Sequence, residues 1–138
     1  IALRPAAAGT LGTRSVLPGS SRHAAAAHFS HVIGSGPYLF LAGQIPIDPA
    51  NPSAAFPEGI AAQTTRVLEN IKLILEDQGL SFANVVKSTV FMVNLVDFAG
   101  MNEVYARYFP KDPPARATVE AARLPRAVRV EIELIALA

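Results

Sequence analysis

Between Glu58 and Gln78 the apolar residues Ile60, Val67, Leu68, Ile71, Ile74 and Leu75 recur at three- and four-residue spacing, while Gln63, Arg66, Glu69 and Lys72 fall on the opposite side. That pattern predicts an amphipathic helix. Gly79 follows it, and a residue that tolerates positive φ is suited to a helix C-terminus. A second helical pattern, Phe98, Met101, Val104, Tyr105 and Tyr108, follows Asp97 as predicted N-cap and stops before Pro113 and Pro114. The other apolar runs are β-prone. His28–Gly34 and Tyr38–Gln44 flank Ser35, Gly36 and Pro37, which predicts a hairpin. Val85–Val93 is short and β-branched, a strand buried for much of its length, and Arg116–Ala122 reads as another. In Val128–Leu137, Val128, Val130, Ile132 and Leu134 point one way and Arg129, Glu131 and Glu133 the other.

The predicted order is β-β-α-β-α-β-β, with a further short strand near Ser15–Leu17 as an option and a Pro- and Asn-rich loop over Pro46–Pro57. Two amphipathic helices and one sheet imply an α+β layer architecture with both helices packed on one face. The other sheet face must then meet solvent or another subunit.

At 138 residues the chain fits one domain, read as 15–138 behind an Ala/Arg-rich extension over 1–14. No apolar run approaches the ~20 residues of a membrane-spanning helix, so a soluble protein is expected. The net charge of +1 offers no general field for nucleic acid. The absence of cysteine removes disulfides, thiolate metal sites and thiol catalysis. Before Asp48 the only charged residues are Arg4, Arg14 and Arg22. That bias suits an organelle presequence or an alanine-rich bacterial extension, the second being the simpler. The expected location is cytoplasmic, with a mitochondrial or plastid matrix as the alternative.

Among the charged residues, Arg116 has two readings. A planar guanidinium matches a carboxylate in bidentate fashion, but an ion pair with Glu131 or Glu133 is the simpler reading of the residues alone. His23, His28 and His31 form a cluster. In a strand positions 28 and 31 face opposite sides, which argues against a shared metal ion. Arg123, Arg126 and Arg129 form a basic group without interleaved aromatics, so a solvated or paired face is expected there rather than a nucleic-acid site.

Several segments carry a resemblance: Ala42-Gly43-Gln44-Ile45-Pro46, Gln63 to Asn70 (QTTRVLEN), Val85 to Phe91 (VVKSTVF), Asn102-Glu103-Val104-Tyr105, Pro114 to Val119 (PARATV) and Val130-Glu131-Ile132-Glu133. In this order and spacing, over about residues 15 to 138, the chain resembles the Rid/YjgF family of reactive-intermediate deaminases, also called endoribonuclease L-PSP. The resemblance implies a chorismate-mutase-like fold with a mixed sheet, assembled as a homotrimer with ligand clefts between subunits. It also implies hydrolysis of enamines and imines, released by pyridoxal-phosphate enzymes, to 2-keto acids and ammonia, with no metal and no bound cofactor.

Carried onto this chain, the family pattern makes Arg116 the carboxylate anchor and Glu131 the group that positions or activates water. Glu133 is expected to be a charge on an inter-subunit surface. Asn102 falls near the cleft, with a structural and a ligand role equally open. Gly43 allows close backbone approach, and main-chain groups around Thr118 are expected to complete the site. Three positions depart from the pattern. Phe29 stands where many deaminating members have a tyrosine, Ala42 where a serine often precedes Gly-Gln, and Thr118 where some members have cysteine. His28 or His31 is placed to supply polar contacts that the missing hydroxyls would have made.

The expected activity is therefore an enamine/imine deaminase acting on 2-aminoacrylate, 2-aminocrotonate or a larger relative such as aminomuconate. The alternatives are a non-catalytic trimeric module that binds small carboxylates and, more weakly, a ribonuclease or translation inhibitor.

Overall fold

Residues 14–18, 25 and 27–138 are described by a computed structural model. Their strands are β1 (Arg14–Val16), β2 (Val32–Ser35), β3 (Tyr38–Gln44), β4 (Val85–Met92), β5 (Ala115–Glu120) and β6 (Val130–Leu137). The helices are α1 (Ile60–Asp77) and α2 (Phe98–Tyr108). The strands form one six-stranded mixed sheet in the order β1-β2-β3-β6-β4-β5. All neighbours are antiparallel except β4 and β5, which are parallel and joined through α2. The optional first strand is thus present, while residues 1–13, including Arg4, lie outside the described residues, as do Arg22 and His23.

Both helices cover one face of this sheet. Val67, Leu68, Ile71, Ile74 and Leu75 of α1 pack with Met101, Val104 and Tyr105 of α2 and with Val130, Ile132, Leu134 and Ala136 of β6 in one buried cluster. Each fully buried large aliphatic side chain contributes roughly 1.5–3 kcal/mol. Gly100 lets the two helices close on each other, since a Cβ there would sit 2.8 Å from Ile60 Cγ2. Gly79, with φ +72°, ends α1 as the sequence predicts: its N–H bonds Glu76 O and that of Leu80 bonds Leu75 O, a Schellman closure. No helix among the described residues is long and apolar enough to cross a membrane. The opposite sheet face carries Tyr38, Phe40, Lys87, Thr89, Phe91, Glu131, Glu133 and Ile135, and no described element covers it.

Besides shifts of one or two residues at the ends of α1, β4 and β5, two strand starts and one helix cap differ from the sequence reading. The first hairpin strand starts at Val32 rather than His28, because Phe29 N–H bonds Ala27 O in a tight turn. Asp97 does occupy the position before α2, but its carboxylate makes no cap and accepts from Arg129 Nη1 instead. The capping is done three residues earlier, where Asn94 accepts from Val96 N–H and opens a 3₁₀ turn that runs into the helix. The last strand begins at Val130 rather than Val128, since Arg126 and Ala127 adopt left-handed φ of 54° and 56° in the turn before it.

Candidate functional site

Arg116 lies on edge strand β5, level with Ser88 of β4. Ser88 is buried and its Oγ lies 2.6 Å from the Tyr105 hydroxyl of α2, so both side chains face the helix layer. Arg116 Nη1 donates to Asn102 Oδ1 at 2.8 Å. Its guanidinium carbon stands 4.7 Å from the Tyr105 ring centre and 5.5 Å from that of Phe98. Burial pushes the Tyr105 phenol up, with the Ser88 hydrogen bond and the Arg116 charge opposing that shift. Thr118, level with Val90, follows two residues later on the same partly buried face of β5. Arg116, Asn102 and Thr118 therefore form one group.

Glu131 belongs to another. It lies across from Phe91, on the sheet face away from the helices. Between Leu41, paired with Leu134, and Gln44, paired with Ile132, strand β3 carries Ala42 and Gly43 opposite the single residue Glu133. This bulge brings Gly43 so close to Glu131 that any Cβ would collide with the carboxylate Oε1. Burial, and then the Glu133 charge, raise the Glu131 carboxyl above the usual carboxylate range. Gln44 Nε2 donates to His31 Nδ1 at 3.2 Å and to Ala42 O at 3.1 Å, and Ala42 N–H bonds His31 O. Phe29, largely exposed, meets the His31 ring edge-on with centroids 5.7 Å apart. Ala42, Gly43, Glu131, Phe29 and His31 thus gather at the C-terminal end of β3.

Within one copy, strand alternation puts the two groups on opposite sheet faces. The ion pair of Arg116 with Glu131 or Glu133 is not formed. Among the described residues Arg116 has no acidic partner at all. A surface pocket on the free face is lined by Phe40, Lys87, Thr89, Glu133 and Ile135, but by neither Arg116 nor Glu131.

The matched segment after Leu41 is held in place from α1. Buried Asn70 donates to Ile47 O at 2.8 Å and Ile45 O at 3.4 Å, and accepts from Arg66 Nε. Buried Gln63 donates to Pro57 O and accepts from Arg129 N–H, fixing the entry to β6 just before Glu131.

A family model described as Endoribonuclease L-PSP matches residues 19–138. The chain belongs to the Rid/YjgF family. A RutC family protein of Pyrococcus horikoshii is 52% identical over 108 residues, 78% of this chain and 85% of the relative. A Salmonella typhimurium protein named 2-iminobutanoate/2-iminopropanoate deaminase is 44% identical over 105 residues, 74% of this chain and 80% of that one. The crystal structure of RidA from the Antarctic bacterium Psychrobacter sp. superposes with a TM-score of 0.82 at 36% identity, over 90% of this chain and 99% of that one. The observed architecture is thus the YjgF-like α+β fold.

Against this Rid/YjgF background the remaining sequence candidates fall into place. Residues 27–31 are bent, irregular chain rather than strand, so the strand argument about His28 and His31 does not apply as made. Among the described residues no three His, Asp or Glu side chains come together as a metal-binding group. Two of the three clustered arginines are engaged within the fold: Arg126 bonds Pro52 O and lies over the Phe56 ring, and Arg129 pairs with Asp97. Sequence reasoning placed Phe98 and Tyr105 on the core face of α2 and missed their contact with Arg116. The signal was the polar Asn102 between them, since positions 98, 102 and 105 share one helical face.

Proposed function

We propose that the protein is an enamine/imine deaminase whose site forms between copies, with Arg116 of one subunit facing Glu131 of the next in a homotrimer. The observation that carries this reading is the unneutralised guanidinium. It spends one of its five donors on an amide oxygen and none on an acid, which leaves charge and hydrogen bonds for an incoming carboxylate. The opposite-face placement of Glu131 supports a site built from two copies, and the uncovered sheet face supplies a surface on which they can meet. The Salmonella relative's name supports the reaction class.

The substrate is a small 2-imino or 2-enamino acid of the kind released by pyridoxal-phosphate enzymes. After the enamine tautomerises, Arg116 holds the carboxylate and leaves the imine carbon open to water. Glu131, in its carboxylate form, takes a proton from that water as its oxygen bonds to carbon. As the C=N π pair moves to nitrogen that proton follows it, giving a carbinolamine. The remaining hydroxyl proton then passes through the Glu131 carboxylate to the same nitrogen while the C=O bond forms and the C–N bond breaks, so 2-keto acid and ammonia leave. The work is mainly positioning and electrostatics. The reaction requires no metal or cofactor. The engagement of Arg126 and Arg129 within the fold weighs against a nucleic-acid substrate.

A second reading, a carboxylate-binding module without turnover, draws on Phe29 and Ala42, which bring no hydroxyl to the Glu131 group. Coupling the protein to a threonine dehydratase and following keto-acid release separates the two. The proposal expects acceleration over spontaneous hydrolysis that falls at least tenfold in Arg116→Ala, in line with losing a charged hydrogen bond of about 1.5–3 kcal/mol. Binding of the keto acid with no acceleration would favour the second reading. Identical traces for wild type and Arg116→Ala would remove the anchor altogether.

A further inference from the structure

Phe98, Asn102 and Tyr105 stand at i, i+4 and i+7 on α2, and all three meet the Arg116 guanidinium. We propose that Phe98 and Tyr105 are positioning residues for Arg116, an aromatic clamp that orients the cation for a carboxylate without neutralising it. This deepens the deaminase reading and rests on the carboxylate-anchor role assigned there.

The argument starts from what holds an arginine still. A long side chain with a charged end is usually fixed by an acid, but an acid at this place would compete with the substrate's carboxylate for the same donors. Ring faces attract a cation through their quadrupole while carrying no net charge. The guanidinium here is held by two of them, and only Nη1 is spent, on the neutral amide oxygen of Asn102. The other N–H groups stay available, and bidentate capture of a carboxylate needs two of them in a fixed orientation.

The two rings are held in different ways. Tyr105 is 4% exposed, belongs to the core, and has its hydroxyl fixed 2.6 Å from Ser88 Oγ. Phe98 is 38% exposed and lies outside the core cluster. Packing of the core therefore does not account for an aromatic residue at position 98, whereas the guanidinium contact does. It also makes Phe98 the ring that can be changed without threatening the fold.

The test compares wild type, Phe98→Leu, Phe98→Tyr and Arg116→Ala as full chains. Binding of 2-oxobutanoate, the keto acid that hydrolysis of 2-iminobutanoate yields, is measured by calorimetry, and KM and kcat by the coupled assay. The Arg116 Nε–H resonance reports side-chain order. Phe98→Leu is expected to weaken 2-oxobutanoate binding and raise KM roughly three- to tenfold, the range of a cation–π contact, with kcat changed less than about twofold. The Nε–H signal should lose the part of its ring-current shift that Phe98 contributes, and Phe98→Tyr should restore all of these. Arg116-dependent binding in wild type that is unchanged in Phe98→Leu, or lost equally in Phe98→Tyr, would overturn the clamp and leave the deaminase reading standing. Wild-type binding that does not depend on Arg116 would overturn the anchor and the clamp with it.

Discussion

At Glu131 burial and the neighbouring charge of Glu133 act in the same direction, and both favour the protonated acid. The carboxylate form is the one that can take a proton from water, so kcat should fall as pH drops through a value above the ordinary carboxylate range. The same shift has a consequence for stability. Between the unfolded value near 4.5 and the raised folded value, the native state binds more protons than the unfolded chain. Stability therefore falls as pH rises through that window. Glu131→Gln should abolish turnover and flatten that part of the stability profile, as chemical denaturation at a series of pH values would show. An acid limb in kcat at the ordinary carboxylate position would contradict the environment described for this residue. Arg116 is treated in the opposite way, with rings and an amide in place of an acid. Nothing in the spacing of charges along the chain distinguishes those two surroundings, which is why an ion pair between Arg116 and Glu131 or Glu133 was the simpler reading of the residues alone.

The helices and central strands were legible because period and breaker agree in each. In α1 a continuous apolar stripe ends at a glycine that closes the last turn, and β6 alternates strictly between core and free face. The misread boundaries are places where a tertiary partner outcompetes a local preference. Asp97 is drawn to Arg129, leaving Asn94 to cap, and the tight turn closed by Phe29 N–H on Ala27 O stops the first strand short of His28. The turn before β6 shows a strained choice. Ala127 holds φ of 56°, a region that costs a residue with a Cβ about 1 kcal/mol, whereas Arg126 beside it gains a contact with the Phe56 ring. Ala127→Gly should therefore stabilise the protein by about 0.5 kcal/mol once the added freedom of the unfolded chain is counted. Urea denaturation would check it, and a loss of more than that amount would mean the turn is not strained.

On the scale of the whole molecule, the sheet separates the two groups of candidate site residues. Arg116 and Thr118 face the helices at one sheet edge, Arg116 against Asn102 of α2, while Glu131, Gly43 and Ala42 lie on the uncovered face, where Tyr38 and Phe40 are exposed. The family motifs carried these residue identities but not their faces, since sequence order says nothing about which side of a parallel edge strand a side chain takes until its partner strand is known. Under the proposed function, one copy therefore holds two incomplete half-sites. Mixing Arg116→Ala subunits with Glu131→Gln subunits tests this directly. Each variant alone should lose at least tenfold in rate, and random co-assembly should restore about a quarter of the wild-type rate, because that share of clefts draws an intact Arg116 from one subunit and an intact Glu131 from its neighbour. Mixed assemblies that form, as seen by native mass spectrometry, yet regain no activity would contradict a site shared between copies.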